Sequence, residues 1–187
     1  MSSTKHESTH RRIVETAARR LREVGYAALG VASVMRDAGL THGGFYAHFA
    51  SKDALLAEAI AEAGRDGLES LRRAVEDAPP DDRLALLVDA YLSRLHQLHP
   101  ELGCPLAALG TETARQDASV REAATGRLRE LLGWIRGLRG ADRTGPSAEM
   151  VLSAAVGAMV LARVSTDRAL GDALRRQVRD ELKGSRR

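Results

Sequence analysis

Residues 31–49 read VASVMRDAGLTHGGFYAHF, and this stretch decides the fold. Val31, Val34, Met35 and Ala38 recur at helical spacing and give a short helix one apolar face. Gly39 stands where that helix must stop and the backbone must take positive φ. Leu40 returns an apolar side chain to the core, and Thr41 is placed to cap a second helix. In that helix Phe45 and Phe49 share a face at i, i+4, while His42, Tyr46 and His48 project elsewhere. A helix, a glycine turn and a second helix with polar residues at its start form the helix-turn-helix plan for entering a DNA major groove.

Six aromatic residues occur in the chain, Tyr26, Phe45, Tyr46, Phe49, Tyr91 and Trp134, and the first four lie in its first 49 positions. A small three-helix unit has little core volume, so bulky rings fill it effectively. Phe45 and Phe49 read as core. Tyr46 reads either as core or as a ring that packs while its hydroxyl meets a phosphate.

The segment Arg12 to Leu56 resembles the DNA-binding domain of the TetR family of bacterial regulators. The resemblance is carried by Gly25-Tyr26, Ala38-Gly39-Leu40-Thr41, Gly43, Phe45-Tyr46, His48-Phe49, Ser51-Lys52-Asp53 and Leu55. It covers about the first third of the chain; beyond that it rests on helix number and order. It implies that Tyr46, His48 and Lys52 grip the DNA backbone. It also implies a minor-groove role for an N-terminal arm, with Lys5, Arg11 and Arg12 as candidates beside the alternative of simple solvation. Two positions depart from the family pattern: Gly44 replaces a Thr-like residue, and Leu29-Gly30 replaces a Thr or Ser cap. Each loses a hydroxyl suited to phosphate, although glycine is an acceptable N-cap.

The 187 residues suffice for one ordinary domain, or a small one joined to a larger one. A single cysteine excludes an internal disulfide framework and suits a reducing cytoplasm. The start, MSSTKHESTHRR, lacks the apolar stretch of a signal peptide. The longest apolar run, Met150 to Ala162, is too short to span a bilayer. Charge is unevenly spread. Residues 1–53 carry 8 Lys/Arg against 5 Asp/Glu, residues 54–174 carry 14 against 18, and residues 175–187 carry 6 against 2. A basic first unit suits phosphate binding. The basic end reads as a solvated helix terminus complementing its dipole.

In order, residues 1–10 are expected as a flexible arm, 11–56 as the DNA-binding domain and 57–187 as a helical ligand-binding and dimerisation domain. The first helix places Ile13, Ala17, Leu21 and Val24 on one face and ends at Gly25. Ser51 caps a long fourth helix reaching about Glu76. Pro79-Pro80 breaks the chain. A fifth helix is expected from Asp82 to Leu98 with Leu84, Leu87, Val88, Tyr91, Leu92 and Leu95 inward. Pro105 suits the first turn of a sixth, and Ser119 to Glu122 reads as the capping box of a seventh. GADRTGP is a loop, Pro146 opens an eighth helix, and Thr166 or Asp167 caps a ninth. The expectation is all-α, with about nine helices. The eighth is apolar on almost all sides, which calls for burial all round. That points to a homodimer seam through residues 146–183, also implied by the resemblance; the alternative is a helix buried wholly within one subunit.

The candidate DNA contacts are Ser33, Thr41, His42, Gly43, Gly44, Tyr46, His48 and Lys52. His42 suits base readout, because an imidazole can donate to or accept from a purine edge. The two glycines let backbone approach DNA. His48 reads equally as a core-edge histidine. A regulator needs a second site, and the resemblance implies a small, mainly apolar effector; candidate lining residues are Leu87, Tyr91, Cys104, Leu109, Trp134 and Met159, each also readable as core. Cys104, before Pro105, reads either as a sensor thiol with its pKa lowered by a helix N-terminus or as a small packing residue. His96, His99 and Cys104 match no common zinc spacing, no cofactor is implied, and no nucleophile elbow, phosphate loop or paired-carboxylate motif appears. The enzyme reading therefore has no positive feature. A helical protein-interaction adaptor leaves the ordered motif at 31–49 unexplained.

Overall fold

The computed structural model describes residues 2–139 and 145–184. Nine α-helices and no strand occur among them. They are α1 (Ser2–Ala28), α2 (Val31–Asp37), α3 (Lys52–Val75), α4 (Arg83–Tyr91), α5 (Arg94–Leu98), α6 (Pro105–Thr113), α7 (Ala118–Leu138), α8 (Ala148–Val164) and α9 (Arg168–Lys183). Of the GADRTGP loop, residues 140–144 lie outside the described residues, as do 185–187 of the basic end.

Residues expected as a flexible arm instead extend α1 from Ser2. Their anchors are tertiary, which a polar composition does not reveal. The His6 ring stacks on His48 at 4.3 Å and His10 on Phe49 at 4.5 Å. His10 Nε2 also lies 2.7 Å from a Glu58 carboxylate oxygen. Within α1, Ile13, Ala17 and Leu21 are buried as their spacing requires, whereas Val24 is exposed. Gly25 interrupts the helix with φ 77.

The end of α2 is a complete Schellman closure. Gly39 has φ 70; its N–H donates to the Arg36 carbonyl at 2.9 Å, and the Leu40 N–H to the Met35 carbonyl at 2.8 Å. Those bonds satisfy carbonyls that a helix end leaves open and set the exit angle of the turn. The next element is a 3-10 helix, His42–Ala47, and Thr41 makes no side-chain cap to it. Ser51 does cap α3, its Oγ accepting from the Ala54 N–H at 3.1 Å.

The expected fifth helix is two. α4 ends at Tyr91 and α5 begins at Arg94, because Ser93 caps the new helix by accepting from the His96 N–H at 3.2 Å. Leu95, expected inside, is consequently exposed. The Ser119–Glu122 capping box is not used: α7 starts two residues earlier, behind Asp117. Ser147 caps α8, and Asp167 caps α9 by accepting from the Ala169 and Leu170 N–H groups. The basic residues of α9 are not simply solvated. Arg175 and Arg179 donate to the Leu92 carbonyl at 2.8 and 2.9 Å, and Lys183 pairs with Asp89 at 2.6 Å. They complement the C-terminal end of α4 rather than that of their own helix.

Two apolar cores result. One gathers Ile13 to Ile60 together with Leu109 of α6 and Val120 of α7; the other runs from Leu68 to Leu182. The change of core falls within α3, so this single helix contributes to both cores. Among the described residues no helix is long and apolar enough to cross a membrane.

Candidate functional site

The 41–48 turn sorts its side chains by burial. Phe45 and Phe49 are sealed in the core, with rings 5.5 Å apart. Thr41, His42 and Gly43 are exposed, and Tyr46 is 73% exposed with its ring edge-on to Phe45. Lys52 stands in solvent at the start of α3. A large aromatic side chain left in water on a short, otherwise polar turn is suited to a partner that offers both apolar and hydrogen-bonding surface. Ser33 is half-buried, and its hydroxyl donates to the Gly30 carbonyl at 2.7 Å. Gly44 is half-buried against Met35 rather than open.

His48 joins this surface to α1. It is half-buried, and its Nδ1 has no hydrogen-bond partner among the described residues. Burial, with the His6 and His10 imidazoles nearby, holds its pKa below the usual value.

A second feature lies at the junction of the two cores. A cleft of about 840 Å³ is lined by α3, the α4–α5 break and the segment leading to α6. Arg22 of α1 lines it as well. Although buried, its guanidinium donates to the Ala63 and Gly103 carbonyls at 3.2 and 3.4 Å and pairs with Asp66 at 3.0 Å. Four residues later in α1, the end of the helix is held by α6. The Tyr26 N–H donates to the Glu112 carboxylate at 2.9 Å, and the Tyr26 hydroxyl meets Thr113 Oγ1 at 3.0 Å. The first helix of the N-terminal unit is therefore hydrogen-bonded both to the wall of the cleft and to the helix that leaves it.

His96 fixes the far wall. Its Nδ1–H donates to the Tyr91 carbonyl at 2.6 Å and its Nε2 accepts from the Cys104 N–H at 3.1 Å. That arrangement requires a neutral ring, and burial lowers its pKa to about 4. With both nitrogens engaged, His96 is not available as a metal ligand.

Of the candidate lining residues, Tyr91 and Cys104 border this cleft. Leu87 and Met159 are fully buried in the second core, and Trp134 packs against it half-buried. Leu109 belongs to the first core and borders a separate hollow of about 410 Å³ beside Arg163 and Glu112. Of the two readings of Cys104, its burial fits the small packing residue and not the activated thiol. The thiol sits at the N-terminus of α6, and the Leu106 and Ala107 N–H groups do favour its charged form. Burial outweighs them and pushes its pKa up.

Arg22, Asp66, Gly67 and Glu112 were not singled out from sequence. A signal was present in AEAGRDGLESL, where two glycines interrupt an otherwise strong helix. A Cβ on Gly67 would stand 3.3 Å from the Cys104 Cα, so this glycine admits the backbone of the cleft wall.

Comparison with known proteins agrees with this geometry. Residues 13–59 match the family profile of bacterial regulatory proteins, tetR family. Two uncharacterized HTH-type transcriptional regulators from strains of Mycobacterium tuberculosis are each 29% identical over 183 residues, covering 91% of this chain and 92% of theirs. A TetR-family regulator from Agrobacterium tumefaciens shares the fold with a TM-score of 0.75 at 19% identity, over 95% of this chain and 98% of that one. FadR from Bacillus subtilis, solved in complex with stearoyl-CoA, does so with a TM-score of 0.62 at 18% identity, over 89% and 96%. The helix-turn-helix geometry, the profile match and these likenesses converge: residues 13–59 resemble the DNA-binding segment of bacterial regulatory proteins of the tetR family, and the chain as a whole shares the fold of solved regulators of that family.

Proposed function

We propose that the protein is a cytoplasmic, homodimeric repressor that binds a partly palindromic operator and leaves it when a small, mainly apolar effector enters the helical domain. The observation that carries the DNA-reading part is the sorting at 41–48: His42 and Tyr46 stand in solvent while Phe45 and Phe49 are sealed beneath them. In this reading His42 reads a base edge, and Thr41, Tyr46, His48 and Lys52 position the protein on phosphates. The glycines 43 and 44 keep the backbone low, and Ser33 supports the preceding helix. Residues 11–56 do this work, and 57–187 carry the effector and the dimer contact.

The dimer part is supported by α8. Val151, Leu152, Ala155, Ala158, Met159 and Ala162 are buried against the same chain, whereas Met150, Leu161 and Val164 on another face are exposed. Leu170 of α9, the helix that packs on α8, is also exposed. A second copy covers such a seam symmetrically. The cleft supports the effector part, since its volume lies in the range of small-molecule sites. In the Bacillus FadR complex, a protein of this fold holds a ligand with a long apolar chain.

A gel shift against the region upstream of the protein's own gene tests the first half, with retardation that competes with unlabelled specific DNA as the expected result. A thermal-shift ligand screen followed by operator release tests the second. Absence of both specific retardation and any releasing ligand contradicts the proposal. Thiol sensing through Cys104 gains no support from its burial or its raised pKa.

A further inference from the structure

The cleft at the α1–α3 junction has a chemical character that narrows its occupant, and this inference rests on the effector reading above. Its charged side chains already have partners within the protein. Arg22 pairs with Asp66 at 3.0 Å, Arg65 with Glu62 and Arg73 with Glu69 at 3.6 Å, while Glu101 lies 3.0 Å from the His99 ring and also feels the Arg22 charge. His96 has both nitrogens engaged. A charged ligand would have to break one of these pairs or lose its water without compensation. Apolar surface is plentiful by comparison. Leu71, Ala74 and Ala90 line the cleft, and Leu95 and Leu102 in the same lining are 65% and 59% exposed.

Two polar atoms of the lining residues lack a partner among the described residues, Arg22 Nε, whose guanidinium is already engaged through its other nitrogens, and the Tyr91 hydroxyl. Tyr91 is only 1% exposed, and its hydroxyl has no nitrogen or oxygen partner among the described residues. Its neighbour there is the Cys104 thiol, a weak acceptor. Buried hydroxyls are normally hydrogen-bonded, so an unmatched donor in a cleft wall marks where a ligand acceptor gains most.

We infer that this cleft takes an uncharged amphiphile, with its apolar body against Leu71, Leu95 and Leu102 and a carbonyl-type acceptor for the Tyr91 hydroxyl. No covalent step is involved. Selectivity arises because a neutral acceptor satisfies Tyr91 and disturbs no ion pair, whereas a carboxylate or an ammonium group of the same length meets only paired charges. Occupancy would be felt at Arg22, which shares the wall through the Gly103 carbonyl.

Three eight-carbon probes, 2-octanone, octanoate and octylammonium, test the inference by titration calorimetry on the full-length protein, with operator release measured in parallel. The expected result is 2-octanone binding at least ~10-fold tighter than either ion. Tyr91→Phe should weaken 2-octanone by about five-fold, the effect of one hydrogen bond. Ser70→Trp, at an exposed position of the lining, should abolish 2-octanone binding, with fold integrity checked by helical circular dichroism. Equal or tighter binding of octanoate or octylammonium overturns the inference. So does unchanged 2-octanone affinity in both variants, or no binding by any probe. Operator release by octanoate alone would reject the ligand class and keep the regulator reading. Failure of every protein to bind operator would reject that reading and still leave the three affinities to be compared.

Discussion

Both ends of this molecule leave large side chains in water, and they do so differently. At one end Tyr46 stands 73% exposed among Thr41, His42, His48 and Lys52. At the other, the aliphatic side chains Met150, Leu161 and Val164 of α8 and Leu170 of α9 are exposed, Val164 to 74%. A lone phenol among polar and basic groups suits a polyanion, where affinity falls steeply with salt. A run of aliphatic side chains suits a second copy of the chain, where salt has little effect. Between them lie α1 and α3, with Arg22 and Tyr26 of α1 bonded to the cleft wall and to α6.

The strongest way to break this contrast is at the aliphatic end. Leu161→Glu with Val164→Glu should give a monomer by sedimentation and lower operator affinity by about a hundredfold or more, as expected when two linked half-sites become one. A variant that stays dimeric would remove α8 from the interface.

Arg22→Ala comes next. It leaves the Ala63 and Gly103 carbonyls and Asp66 without their donor, although Asp66 is half exposed and recovers water. The expected cost is about 2–3 kcal/mol in chemical denaturation, with effector-induced operator release lost. A variant released as readily as wild type would show that α1 does not read the cleft.

The polar end is sharpened by His42→Ala, which should cost roughly 1–3 kcal/mol at one base pair and relax preference there. Loss spread evenly over all sequences would assign His42 to phosphate instead.

A smaller effect concerns pH. His96 has its pKa lowered by burial from the ordinary 6.5 to about 4, so the fold favours the neutral ring. Its contribution is fully present above 6.5 and is lost as pH falls toward 4, because the unfolded chain takes up the proton first. With the ring partly exposed, the expected loss is on the order of 1–2 kcal/mol over that window. His96→Gln should flatten the stability–pH curve there, and an unchanged curve would place the titration elsewhere. Smallest is Lys52→Ala, which should weaken binding to all sequences alike and reduce the slope of log K against log salt by about one.

How much of this was legible in the sequence depends on how local the cause is. Gly39 announced the closure of α2 because only the residues beside it decide that geometry, and the Ser51 and Asp167 caps were readable for the same reason. The α4–α5 break was hidden, since the Ser93 cap competes with an unbroken apolar pattern and prevails only because His96 ties to Tyr91 and Cys104. The ordered start of α1 was hidden too, its anchors being His48, Phe49 and Glu58, some forty residues away. At the candidate site, the exposed turn at 41–48 could be read from one stretch. The cleft could not, because its walls come from α1, α3, α4 and the 93–104 segment, and its charged residues look like ordinary solvated helix faces until Arg22 and Asp66 are brought together.

The central claim is that a symmetric pair of these chains reads DNA through the 41–48 turn. Selection from random duplex DNA, followed by hydroxyl-radical footprinting of the winning sequence at known protein stoichiometry, tests it most directly. The account predicts two chains per duplex and two related half-sites with centres about 34 Å apart or a multiple of it. A single protected site bound by one chain, or no sequence enriched over the starting pool, would contradict it.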